Sequence, residues 1–178
     1  HPPLGKLVIA AFIYVLGDSS GVWRLASFFC GLILICVIYA LARALTGSFR
    51  LALVTAFLFA IDGMNLTQSR IAMFNKPMAL AMFLSLLAIT PYLMGQDPKR
   101  SRSFFASGFF LGMAVSFKWV AAPIAPLIFV FLGLRFFREK EKLRFLVDFI
   151  AFFVLLPLLL LIIFSLKNAG LTPSLTIS

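Results

Sequence analysis

The sequence has 178 residues, of which 62% are apolar and 12% charged, with a formal net charge of +10 and a mean hydropathy of +1.08. A soluble domain is roughly 45–50% apolar, so this composition excludes a water-soluble globule and defines an integral membrane protein. The front shows no charged start, apolar stretch and small-residue cleavage site in that order, so membrane targeting falls to the spans or to preceding sequence. The first residue is a histidine rather than a methionine, which suggests a fragment or a processed piece.

Taken in chain order, HPPLGK at residues 1–6 precedes a ten-residue apolar run over residues 7–16 that stops at Gly17 and Asp18. Crossing a hydrocarbon core takes about 20 residues. The run therefore predicts a helix lying in the interface, with Tyr14 at headgroup level. Clear spans are predicted over residues 27–45, 76–94, 120–137 and 145–166, with shorter ones over 51–65 and 104–117 that end in polar clusters. Turn residues at 46–48, 95–98 and 121–123 make the connections short, so neighbouring helices run antiparallel. The expectation is an all-α, polytopic transmembrane bundle of about six spans. Residues 1–178 form one membrane domain, with 1–20 as the interfacial helix and 21–178 as the spanning part. Cys30 and Cys36 are six apart in one run, roughly 240° around a helix, and cannot bridge.

Alternating the ends of six spans places Arg43, Arg50, Lys99, Arg100, Arg102, Arg135, Arg138, Lys140, Lys142 and Arg144 on one side, ten of the sixteen Lys and Arg residues. The positive-inside rule makes that side cytoplasmic. Lys6, Arg24, Arg70, Lys76, Lys118 and Lys167 are left at the outer side, opposed only by Asp18 and Asp62. Charges at a membrane edge persist where they line a wet cavity or meet an opposite charge. An anion at the outer face accounts for them, with snorkelling to headgroups as the structural alternative, above all for Lys167.

Three polar stretches converge on that face: HPPLGK with GVWR at 21–24, IDGMNLTQSRIAMFN at 61–75, and SFKW at 116–119. Together, over roughly residues 1–125, this pattern resembles the protein O-mannosyltransferase family of the GT-C membrane glycosyltransferases. The resemblance implies part of a GT-C fold and a polyprenyl-phosphate-linked sugar as donor. A mannosyl residue then passes to a protein Ser or Thr hydroxyl on the non-cytoplasmic side, with inversion at the anomeric carbon. It implies no metal ion and no cofactor. The expected partners are the lipid-linked donor, a protein or envelope-glycan acceptor and membrane lipids, with no nucleic acid.

Departure of a polyprenyl phosphate builds negative charge, which fixed guanidinium and ammonium groups stabilise most strongly where water is scarce. Arg24 matches the W-R position and Arg70 the Q-S-R position, and a planar guanidinium can hold two phosphate oxygens. Gln68 and Ser69 are candidates for neutral hydrogen bonds to phosphate or sugar, with helix bridging as the alternative for Gln68. His1 is read as a proton donor or sugar contact, or as a tie between the HPP segment and a backbone carbonyl. Lys6 falls one turn into the interfacial helix, and Lys118 with Trp119 matches the family's K-W pair.

Two features depart from the resemblance. Its general base is an acidic residue in an outer loop upstream of HPP, so neither Asp18 nor Asp62 occupies that position, and this stretch alone is expected to be inactive. Asp62 is expected to pair with a base or to cap a helix. Asn75 stands where the family usually carries an acid. The Asn65-Leu66-Thr67 glycosylation triplet lies in the edge of a span and is expected to stay unused. Transfer of another sugar to lipid A or an envelope glycan, and a non-catalytic lipid-phosphate binder, remain alternatives. The short outer loops point to a bacterial inner membrane.

Overall fold

The computed structural model describes residues 4–71, 75–94 and 100–124, together with isolated positions between 126 and 162. In the described chain, α1 (Leu4–Leu16), α2 (Ser20–Thr46), α3 (Phe49–Ile61), α4 (Gly63–Arg70), α5 (Asn75–Leu93) and α6 (Arg100–Phe117) lead into a single 3-10 turn, Trp119–Ala121. The all-α expectation holds. Each junction has a local cause. Gly17 takes a left-handed φ of 87° after α1, and Ser19 then caps α2 by accepting from the Val22 amide at 3.4 Å. Gly47, at φ 68°, ends α2 by donating its N–H to the Arg43 carbonyl, a left-handed helix stop that few side chains tolerate. Ser48 at once caps α3.

The span count is smaller within the described residues. The 27-residue α2 and the 19-residue α5 are long and apolar enough to cross a membrane, and α3 with α4 makes a third only as a pair bent by 57°. The run expected as one helix over 51–65 is thus broken at Asp62. At 13 residues, α3 is about 20 Å long, short of a ~30 Å core. The break has a chemical reason in the sequence: Asp62 and Gly63 interrupt the apolar run, and the Asp62 carboxylate accepts from the Asn65 amide at 2.8 Å to start α4. Asp62 is therefore a cap, as expected. The apolar part of α6, Phe105–Phe117, is also shorter than a full span. Most of the runs at 120–137 and 145–166 lies outside the described residues, although positions 147, 150, 153, 154, 157, 158 and 162 are helical.

The tightest packing joins α5 to α6. Ala81 and Ser85 on α5 meet a face of α6 that buries Ser107, Gly108, Leu111, Gly112, Ala114 and Val115. Small residues four apart let two backbones approach, which is how helices associate where lipid offers no hydrophobic driving force. The Ser85 hydroxyl bonds the Ser107 carbonyl at 2.8 Å and lies 2.9 Å from the Ser107 hydroxyl, with both residues fully buried. Ile89, Tyr92, Leu111 and Ile128 make one core cluster. Ala81, Ala114, Val115, Phe117 and Ala121 make the other, against which Leu4 and Val8 of α1 pack. Outward, Phe28, Phe29, Leu32 and Ile33 of α2 and Leu53, Val54, Phe57 and Leu58 of α3 are exposed, the inside-out pattern of a lipid-facing bundle.

Candidate functional site

Hydrogen bonds fix which ends of the bundle meet. Ser85 pairs with Ser107 midway along α5 and α6, and the Lys118 ammonium donates to the Asn75 side-chain oxygen at 3.2 Å. The start of α5 therefore sits beside the end of α6, and the two helices run antiparallel. Leu4 and Val8 touch the cluster holding Phe117 and Ala121, which brings the first turns of α1 to the same end. There Lys6 is exposed on the first turn of α1.

Two of the candidate cations share a cavity. Gly21, Arg24, Leu25 and Phe28 of α2 and Ser69 and Arg70 of α4 line a space of about 370 Å³. Beside it, Gly31 is buried where α4 crosses α2. A Cβ at Gly31 would lie 2.7 Å from Ser69 Oγ, so any larger residue would force the Ser69 side chain or α4 to shift. The Ser69 hydroxyl donates to the Asn65 carbonyl at 2.8 Å. Its proton is thus committed within α4, while its side chain lines the cavity.

The charge balance of this cavity is one-sided. The Asp18 carboxylate accepts from the Trp23 indole nitrogen at 2.7 Å and Asp62 is engaged as the cap of α4. Among the described residues, neither Arg24 nor Arg70 has a hydrogen-bond or ion-pair partner. Two unpaired guanidiniums from different elements on one concave wall, next to the apolar Leu25 and Phe28, suit an anion that carries a hydrophobic tail. A second cavity of about 220 Å³ is lined, among the described residues, by the apolar side chains of Val115, Trp119, Ala122, Phe153, Val154, Pro157 and Leu158.

The sequence-predicted residues are thus distributed in two groups, Arg24 with Ser69 and Arg70, and Asn75 with Lys118. Gln68 is half-buried on α4 and does not line the arginine cavity. His1 lies outside the described residues. For two residues the sequence reading missed the structural role. Asn65, 6% exposed, is a hydrogen-bonding hub, and Lys76, 2% exposed, donates to its side-chain oxygen instead of facing outward as a free charge. Only the polar character of NLTQSR within a greasy run hinted at Asn65.

The fold is that of a polytopic helical membrane protein in which two arginines from different helices line one cavity. The model of the dolichyl-phosphate-mannose-protein mannosyltransferase family matches residues 1–163, and the chain belongs to that family. It is 25% identical over 145 residues to a polyprenol-phosphate-mannose–protein mannosyltransferase of Mycolicibacterium smegmatis, covering 67% of this chain and 27% of the relative. Its identity to the protein of the same description in Corynebacterium glutamicum is 31% over 139 residues, with the same coverages. The chain thus spans 27% of the length of these curated relatives. In fold it superposes on the Saccharomyces cerevisiae protein O-mannosyltransferase Pmt1-Pmt2 complex bound to the sugar donor, with a TM-score of 0.77 at 23% identity. That match covers 97% of this chain and 27% of the yeast chain.

Proposed function

We propose that this chain forms the donor-phosphate part of a membrane transferase that moves a mannosyl residue from polyprenyl phosphate to a Ser or Thr hydroxyl of a protein. The carrying observation is the shared cavity of Arg24 and Arg70, flanked by Leu25 and Phe28. The acceptor oxygen attacks the anomeric carbon, the bond from that carbon to the phosphate oxygen breaks, and the polyprenyl phosphate leaves as an anion. Both guanidiniums lower the barrier by holding the phosphate oxygens as their charge grows. The acceptor proton must pass to a general base. Asp18 and Asp62 each accept a structural hydrogen bond, and the family resemblance implies an acidic residue ahead of the HPP segment as the base.

The positive-inside distribution supports an extracytoplasmic site, and the short loops support a bacterial inner membrane. The test uses the full-length protein in proteoliposomes, with polyprenyl-phosphate mannose and a Ser/Thr-containing acceptor peptide. Arg70→Ala and Arg24→Ala should each cut transfer about 100-fold, the typical loss for a fixed donor to developing charge, while membrane insertion is retained. Arg70→Lys should recover only part of it, because a point charge cannot reproduce the two-pronged fork. Unchanged turnover in Arg70→Ala would refute the phosphate role.

A further inference from the structure

Lys76 is the least expected residue of the bundle, an ammonium only 2% exposed at the membrane end of α5. A buried cation is costly unless its donors are met. Here the ammonium donates to Asn65 Oδ1, lies 5.9 Å from the centre of the Phe59 ring and interacts electrostatically with Asp62. All three partners belong to the break between α3 and α4. Asn65 connects the rest: its side-chain nitrogen donates to the Phe59 carbonyl at 3.0 Å, and its amide to Asp62 at 2.8 Å. Its carbonyl accepts from Ser69 at 2.8 Å. Ser69 in turn presses on Gly31 of α2, and Arg70 follows it in the chain.

We infer that Lys76 is a positioning residue: through Asn65 it ties α5 to the α3–α4 break and so holds Arg70 across the cavity from Arg24. The inference rests on the donor-phosphate reading of that cavity. The carbonyl of Phe59 near the end of α3, left without an intrahelical partner by the break, is met by the Asn65 amide group. The other end of that amide is held by Lys76. Removing the ammonium leaves Asn65 Oδ1 buried and unmet, so α4 loses its fixed angle while α2, α5 and α6 keep their own contacts. The link therefore acts on donor binding more than on the fold.

The test uses the full-length protein in nanodiscs, with initial rates measured against polyprenyl-phosphate mannose. Lys76→Met and Asn65→Leu should each lower kcat/KM for the donor about tenfold, the effect of losing one buried charge-assisted hydrogen bond. The double variant should be no worse than the worse single one, because both break the same link. Asn65→Asp, which keeps the acceptor for Lys76 but loses the donor to the Phe59 carbonyl, should fall between the parent and Asn65→Leu in kcat/KM. Spin labels replacing Leu32 on α2 and Thr67 on α4, both exposed, should report a broadened distance in Lys76→Met and a parent-like one in Arg70→Ala. A lowered kcat/KM in Arg70→Ala with parent values in Lys76→Met and Asn65→Leu would overturn the positioning role and leave the phosphate reading intact. Parent kcat and kcat/KM in Arg70→Ala would instead strike the phosphate reading itself. Equal loss in Asn65→Leu and Asn65→Asp, with an unbroadened label distance, would mark a general folding role and also overturn the inference.

Discussion

Replacing Gly31 by alanine tests how closely the cavity depends on the crossing of α2 and α4. The added Cβ would sit 2.7 Å from Ser69 Oγ, while the Ser69 Cβ lies at 3.4 Å, ordinary contact distance. Two responses are open to the protein. The Ser69 hydroxyl can rotate away from the Asn65 carbonyl, giving up a hydrogen bond of about 1 kcal/mol, or α4 can retreat by about 0.7 Å to restore contact at its present rotamer. The gain from replacing a helical glycine is about 0.5–1 kcal/mol, so thermal stability should scarcely move. Function should move more. A misplacement near 1 Å can cost about 100-fold in a positioned reaction, and a partial retreat of Arg70 should lower kcat/KM for the donor about tenfold. Ser69→Ala removes the clashing oxygen, so the double variant Gly31→Ala with Ser69→Ala should return to within about threefold of the parent. The assay is donor-dependent mannosyl transfer in nanodiscs, paired with thermal denaturation. A double variant as impaired as Gly31→Ala alone would refute the crossing as the cause.

Three further outcomes follow from separate parts of the bundle. Ser85→Ala removes the hydroxyl that bonds Ser107 and should cost about 0.6 kcal/mol, the average for such links between membrane helices, whereas Ser85→Leu should separate α5 from α6 and lower the yield of folded protein sharply. Thermal melts in detergent distinguish the two. Asn65 should carry no glycan when the protein is made in a glycosylating host, because its side-chain nitrogen and oxygen are both bonded inside the protein; a mass shift lost in Asn65→Gln would contradict the structure. Cys30 and Cys36 are both free thiols, so peptides carrying them from the denatured protein should each take up one maleimide group without reductant, two in all. Fewer than two would contradict the expectation.

The sequence was most informative where lipid dictates composition. Runs of about 20 apolar residues can only be helices in a membrane, and α2 and α5 appear where those runs lie. It was least informative where two elements cross. The run at 51–65 has the hydropathy of one helix, yet Asp62 prefers to cap a new one, because its carboxylate has an amide to bind there and no water deeper in. The same limit applies to the site. The placing of Arg24 and Arg70 at one face follows from the alternation of span ends and from the motifs that carry them, but their sharing of a cavity depends on how α4 crosses α2, where Gly31, a residue without chemistry of its own, leaves room for Ser69. Lys76 shows the converse. By composition it counted among the outer cations; by packing it is consumed by Asn65.

Why the arginine cavity should be built at a helix break is itself a physical question. A continuous helix through residues 49–70 would satisfy its own backbone and carry Arg70 onward in line with α3, leaving its place against α2 unspecified. Breaking at Asp62 and bending by 57° costs the backbone bonds of one helix end, which Asp62 and Asn65 then replace. In exchange α4 crosses α2 at Gly31 and presents Ser69 and Arg70 to the same cavity as Arg24. Irregular backbone at the membrane edge is tolerated only where it is buried in protein or lines a wet cavity, and Ser69 and Arg70 of α4 line the arginine cavity. The break, its polar hub and the unpaired arginines are therefore one arrangement. The hydrogen bonds that make the break tolerable are the ones that orient the charge.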